Sequence, residues 1–195
     1  AMTLRNLPLM LLIAASSCTT PPSPAVQVRM ETALGAFTIA LAEEAAPITC
    51  ANFLKYVDAG RYRGGRFHRS VRLDNQARSD VLIEVIQGGA NQIADQESFP
   101  AIVLERTRDT GLRHLDGTIS MARGSLDSAR SDFFICVGPQ PSLDFGGARN
   151  DDGQGFAAFG RVVEGMDVVR AIHTSPTKRE QLTPAITIRS ASRVK

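Results

Sequence analysis

Phe67-His68-Arg69-Ser70-Val71 opens, and Glu84-Val85-Ile86-Gln87-Gly88-Gly89 closes, the stretch from Gly65 to Gly89 on which the fold of this chain turns. Both ends read as strand, because Phe67 and Val71 share one parity and Val81, Ile83 and Val85 share another. The polar run from Arg72 to Asp80 reads as a loop or hairpin tip between them. Arg69 and Gln87 are therefore expected on two neighbouring antiparallel strands. There a guanidinium with five fixed N–H donors faces the same side as an amide. Taken alone, both residue types are ordinary on a solvated surface, and a salt-bridged Arg needs no function.

Upstream, Val26, Val28 and Met30 alternate with polar residues, as do Phe37, Ile39 and Leu41, with Thr32-Ala33-Leu34-Gly35 as the turn of a hairpin with one apolar face. Glu43-Glu44-Ala45-Ala46-Pro47 signals a helix start, and Cys50, Phe53, Leu54 and Val57 form the stripe of an amphipathic helix that Gly60 ends. This helix is expected to close one mouth of what the strands build. Downstream, Asn91 to Gly111 is polar and irregular, and Gly117–Ala122, Phe133–Val137 and Phe156–Val163 read as strands separated by Gly-, Ser- and Asp-rich loops. Glu164-Gly165-Met166 leads into a second helix carrying Val168, Val169 and Ile172, and Ile186 and Ile188 mark a last strand ending near Val194. About eight strands, two helices and no strand–helix alternation argue for a mainly β fold, an antiparallel sheet closed into a barrel and capped by the helices.

The 195 residues include 22 basic and 20 acidic side chains, a net charge of +2, and no basic stripe interleaved with aromatics, so nucleic-acid binding has no electrostatic footprint. A hydrophobic content of 43% suits a folded core. The domain is read as 26–195, preceded by a signal peptide over 1–18 and a Pro/Thr-rich linker over 19–25. Met2-Thr3-Leu4-Arg5 is a short basic segment and Leu7 to Ala15 an apolar one, too short to span a bilayer. With Ser16-Ser17-Cys18 following, the leader resembles a bacterial lipoprotein signal in which Cys18 is lipidated, although Ala15 stands where such signals favour Leu. A cleaved secretory signal without lipid is the alternative. The expectation is an exported, periplasmic protein anchored to a membrane through Cys18. Cys50 and Cys136 are read as buried free thiols.

Four stretches then fall into one order: Phe67-His68-Arg69, Gln87-Gly88-Gly89, Ser120-Met121-Ala122 and Phe133-Phe134-Ile135-Cys136, followed by Phe159 to Met166 and Ile186-Thr187-Ile188. From about Val26 to Val194 the chain resembles the cyclophilin family of peptidyl-prolyl cis–trans isomerases, in particular its bacterial exported members. The resemblance implies an eight-stranded barrel capped by two helices, with a substrate groove on its outer face. Arg69 matches the family's catalytic arginine, Gln87 the glutamine that helps place the substrate carbonyl, and Phe134 the phenylalanine flooring the proline pocket. Ala122 matches the alanine whose backbone binds peptide, and Leu143 a pocket-wall leucine. Phe67, Val85, Met121, Arg123, Asp132 and Phe156 complete the implied substrate-binding set. Several of these depart from the family pattern. Glu84 and Val85 stand where Phe and Met are usual, and Glu84 brings a carboxylate toward the proline pocket unless the long loop displaces it. Arg123 replaces a common Asn, Asp132 a common Gln and Phe156 a common His. Ser142 stands roughly where many members have the Trp associated with cyclosporin binding, so that binding is expected to be weak.

The implied chemistry needs little apparatus. The X–Pro bond resists rotation by about 18–20 kcal/mol because nitrogen shares its lone pair with the carbonyl. In the twisted state the pyramidal nitrogen accepts a hydrogen bond that the planar one does not, so a donor aimed there stabilises the transition state selectively. No nucleophile, metal or cofactor is required. His68, His114 and His173 are too scattered for a zinc site, and Asn150-Asp151-Asp152-Gly153 lacks the alternating acids and terminal Glu of a calcium loop. The expected partners are proline-containing polypeptides, and a monomer is expected. Two other functions compete: a non-catalytic module that binds proline peptides in the same groove, and a ligand carrier using the barrel interior. Phe37, Ile39, Leu41 and Phe159 are bulky enough to fill that interior.

Overall fold

The computed structural model describes residues 25–78, 80–91 and 98–194. The signal peptide, Cys18 and nearly all of the linker lie outside the described residues. The alternating segments form β1 (Gln27–Thr32) and β2 (Gly35–Leu41), then β3 (Arg66–Val71) and β4 (Val85–Gly89). β5 (Thr118–Met121), β6 (Phe133–Cys136), β7 (Ala157–Glu164), β8 (Thr177–Lys178) and β9 (Gln181–Arg193) follow. All pairings are antiparallel, in the order β1-β2-β7-β5-β6-β4-β3-β9, and β9 returns to β1. Eight strands therefore close a barrel, while two-residue β8 only pairs with the start of β9. Closure leaves the eight barrel strands without an open edge.

The interior is filled rather than hollow. Phe37, Phe67, Phe133 and Phe159 are fully buried with Met30, Ile39, Ile86, Ile119 and Ile135 in one continuous core. Phe67 meets Phe133 edge-on at 5.7 Å between ring centroids, a favoured aromatic geometry. A ligand carrier would need that space empty. Helix α1 (Pro47–Asp58) turns Cys50, Phe53, Leu54 and Val57 into the same core, and α3 (Met166–His173) adds Val169 and Ile172. The acids expected to start α1, Glu43 and Glu44, lie outside it. Its first N–H groups are instead satisfied from far along the chain, where the Glu105 carboxylate accepts from Ile48 N (3.1 Å), Thr49 N (2.7 Å) and Thr49 Oγ1 (2.6 Å). The region read as irregular, up to Gly111, contains a four-residue helix α2 (Thr107–Thr110), a third helix beyond the two expected.

The strand parity expected at the start of the central stretch is broken by a bulge. Phe67 pairs with Gly88 and Arg69 with Gln87, so His68 is an extra residue on β3. A bulge of this kind turns the following side chains to the other face. Phe67 consequently points into the core, whereas Val71 joins a second, outer cluster with Ile83, Val85, Phe134, Cys136 and Leu143. Without the extra residue, Arg69 would share the inward parity of Phe67. The second strand is also shorter than expected: the ladder begins at Val85, and Val81 and Ile83 lie in the loop.

Candidate active site

Arg69 leaves β3 directly opposite Gln87 on β4, and Gln87 is in turn opposite Phe134 on β6. Three adjacent strands thus present the guanidinium, the amide and the ring on one outward face. They line a cavity of about 260 Å³ together with Ile83, Val85, Ala122, Arg123, Leu143, Arg149, Asn150 and Phe156. The Arg69 side chain is 30% exposed and firmly aimed. Its Nε donates to Glu180 Oε2 at 2.8 Å, its Nη2 lies 2.6 Å from the same oxygen, and its Nη1 donates to Gln87 Oε1 at 3.0 Å. At most three of five N–H groups are engaged by these contacts, which leaves donors for a ligand. The salt-bridged surface Arg and the functional Arg are here the same residue: the ion pair sets the direction of the remaining donors.

Phe134 is 5% exposed and forms the apolar wall. Phe156 meets it edge-on at 5.2 Å, and the His114 ring stacks behind it at 5.8 Å. His114 is itself pinned, Nδ1 to Asp144 Oδ1 at 2.7 Å and Nε2 to Ser120 Oγ at 3.0 Å. Burial raises the Asp144 carboxyl, but the hydrogen bonds and charge it meets at His114 leave it below the ordinary carboxylate range. Ser, His and Asp lie here in hydrogen-bonded sequence, yet Ser120 and His114 are buried, so the array braces Phe134 and offers no accessible nucleophile.

Residues 27–193 match the cyclophilin type peptidyl-prolyl cis-trans isomerase/CLD family. The chain belongs to that family. By that membership the cyclophilin described here is a peptidyl-prolyl cis–trans isomerase. It is 37% identical over 152 residues to peptidyl-prolyl cis-trans isomerase A of Dickeya dadantii, covering 77% of this chain and 73% of the relative. It is 38% identical over 151 residues to a peptidyl-prolyl cis-trans isomerase of Acinetobacter baylyi, again 77% and 73% of the two chains. Among solved structures, a Cryptosporidium parvum cyclophilin superposes with a TM-score of 0.70 at 20% identity, over 88% of this chain and 98% of that one, a likeness of fold.

Within this cyclophilin the residues singled out from sequence divide into three groups. Arg69, Val85, Gln87, Ala122, Arg123, Phe134, Leu143 and Phe156 line the cavity. The Ala122 N–H donates to Asp132 O at 2.9 Å, so the group Ala122 can offer a peptide is its carbonyl. Asp132 lies in an adjoining depression with Ser98, Arg130 and Ser131, which Gln87, Ala122 and Arg123 also border. Phe67 and Met121 are corrected: both are buried in the barrel interior and neither reaches the cavity, Phe67 because the bulge turns it inward. Gly88, opposite Phe67, gives that ring its room; a Cβ there would lie 2.8 Å from Phe67 Cδ1.

Glu84 does not line the cavity, and Ile83 does. Of the two alternatives left open for Glu84, the displaced one holds: the loop offers the cavity the aliphatic Ile83 and no carboxylate. Arg123 is only 2% exposed at its side chain. It pairs with Asp152 through Nη1 (2.8 Å) and Nη2 (2.9 Å) and donates from Nε to Gly155 O, tying the 144–156 loop to the groove. Ile83, Arg149, Asn150, Glu180 and His114 are site residues that sequence reading missed. Only the low-complexity Gly/Asn/Asp character of 146–155 hinted at a functional loop, and nothing local marks Glu180, which lies 111 positions from Arg69.

Proposed function

We propose that this chain accelerates X–Pro isomerisation in exported polypeptides, with Arg69 as the group that stabilises the twisted imide. The supporting observation is the convergence of Arg69, Gln87 and Phe134 on one outward cavity. A proline ring held against Phe134, Leu143, Ile83 and Phe156 is fixed by apolar contact. The carbonyl preceding it then swings past Gln87, while Arg69 donates to the nitrogen as its lone pair localises. Because that acceptor exists only in the twisted state, the interaction lowers the barrier rather than merely tightening binding. A structural relative was crystallised in the presence of the dipeptide Ala-Pro, which is the minimal X–Pro ligand.

Exchange NMR on a proline peptide tests this reading. Cis and trans signals should interconvert well within the uncatalysed tens to hundreds of seconds on adding sub-stoichiometric protein. Chemical-shift changes without faster exchange would mean a binding module instead. The exported location rests on the leader ending at Cys18 and is read out separately. Mass spectrometry of protein from bacterial membranes should find acyl groups on Cys18 at the mature N-terminus. An unmodified Cys18 would leave a secreted, unanchored isomerase or a cytoplasmic one, distinguished by fractionation.

A further inference from the structure

Three guanidinium side chains, Arg69, Arg123 and Arg149, line the cavity, and among the described residues no carboxylate does. Two of the three are answered from behind, Arg69 by Glu180 at 2.6 Å and Arg123 by Asp152 at 2.8 Å. Arg149 is different. It sits where the 72–84 and 144–156 loops meet, and its Nη1 donates to Val81 O at 2.6 Å and Gln76 Oε1 at 3.2 Å, both neutral acceptors. Among the described residues no carboxylate oxygen lies within 4.0 Å of it. Its own carbonyl accepts from Arg78 Nη1 at 2.7 Å, so the backbone that carries it is held on the opposite loop. Beside it, Asn150 Nδ2 is the one buried side-chain polar atom among the described residues without a hydrogen-bond partner. Burial, and then the charge of Arg69, push the Arg149 guanidinium below its usual value, with Glu180 and Asp80 offsetting only in part. The cavity lining therefore holds a cation with no carboxylate in contact with it and an amide donor without an acceptor.

We infer that the cavity selects X–Pro segments bearing a carboxylate close to the proline, received by the Nε–Nη2 edge of Arg149 with Asn150 Nδ2 as the second donor. The inference rests on the isomerase reading above and adds a substrate class to it. A carboxylate matches what is vacant: one planar edge of a guanidinium, which carboxylates engage through two parallel N–H···O bonds, plus one amide N–H. It would also relieve the repulsion between Arg69 and Arg149. The same group can come from an Asp or Glu side chain or from a chain terminus just beyond the proline.

The test is a set of end-capped proline peptides carrying Glu, Gln or Lys on either side of the proline, with one further peptide ending in a free carboxylate after it. kcat/KM is read at low salt and in about 1 M NaCl, where the Debye length is ~3 Å. At low salt the favoured Glu peptide should exceed its Gln isostere about tenfold, with Lys lowest. Whichever of the Glu and free-terminus peptides is favoured identifies the source of the carboxylate. High salt should shrink the Glu/Gln ratio, and Arg149→Gln should bring it toward one. Because Arg149→Gln also loosens the 72–84 loop, Asn150→Asp is the second variant. It leaves the Val81 and Gln76 contacts in place, adds a negative charge and should reverse the preference toward Lys. Glu and Gln peptides turned over within twofold at low salt would overturn the inference while leaving the isomerase intact. No acceleration of any peptide would overturn the isomerase reading itself.

Discussion

Arg69→Ala should reduce kcat/KM on a neutral X–Pro peptide by about 30- to 150-fold with little loss of fold. The magnitude follows from the position of the side chain. Deleting one preoriented donor from a dry oxyanion site costs about 2.7–4 kcal/mol. The Arg69 side chain is 30% exposed, so solvent screens part of that interaction and a figure of about 2–3 kcal/mol is appropriate. Stability should change much less, because a half-wet ion pair such as Arg69–Glu180 contributes about 1 kcal/mol or less, a Tm shift of roughly 2–4 °C in a domain of this size. Two companions separate aim from charge. Arg69→Lys keeps the cation but cannot hold Glu180 and Gln87 together while presenting another N–H, and should lose at least about tenfold. Glu180→Gln keeps Arg69 but weakens the contact that directs it, and should lose roughly three- to tenfold. A protease-coupled assay gives the rates and thermal melting the control. A folded Arg69→Ala protein within threefold of wild type would refute the assignment of Arg69 to the reacting nitrogen.

Phe134→Ala removes a ring that is 5% exposed and touches Phe156 and His114, and should raise KM and destabilise by about 3 kcal/mol, measured as a shift of the urea midpoint. Asp152 is held at about 2 by its hydrogen bonds with Arg123. Its contribution is therefore present above the ordinary carboxylate range and lost as pH falls through that range toward 2, so the Gln154 N–H, which donates to Asp152 Oδ1, should lose protection against hydrogen exchange relative to its intrinsic rate there, and Asp152→Asn should abolish the acid step. Burial lifts the Cys50 thiol to about 12 and raises Cys136 further still. Both thiols should resist a disulfide reagent at pH 8 in the native protein and react on unfolding; rapid native labelling of Cys50 would contradict its place in the core.

Local pattern was informative wherever one face of an element had to be buried. Val28, Met30, Phe37, Ile39 and Leu41 alternate because the barrel has an inside, and Cys50, Phe53, Leu54 and Val57 recur at helical spacing because α1 packs against it. The opposed parity of Phe133 and Phe134 could be read from two adjacent letters, since neighbouring residues on a strand face opposite ways. What local pattern could not show is where that alternation slips. One extra residue at His68 sends Phe67 inward and Arg69 outward, and the composition around it does not distinguish a bulged strand from a regular one. The other gaps have a common cause: they depend on segments meeting across long separations. Glu180 reaches Arg69 because β9 lies beside β3, and Arg149 lines the cavity because two loops interlock. Periodicity is a property of consecutive residues and survives in the one-dimensional chain. The charge balance of the groove exists only once chain closure brings distant side chains within a few ångströms, where Coulomb and hydrogen-bond forces act.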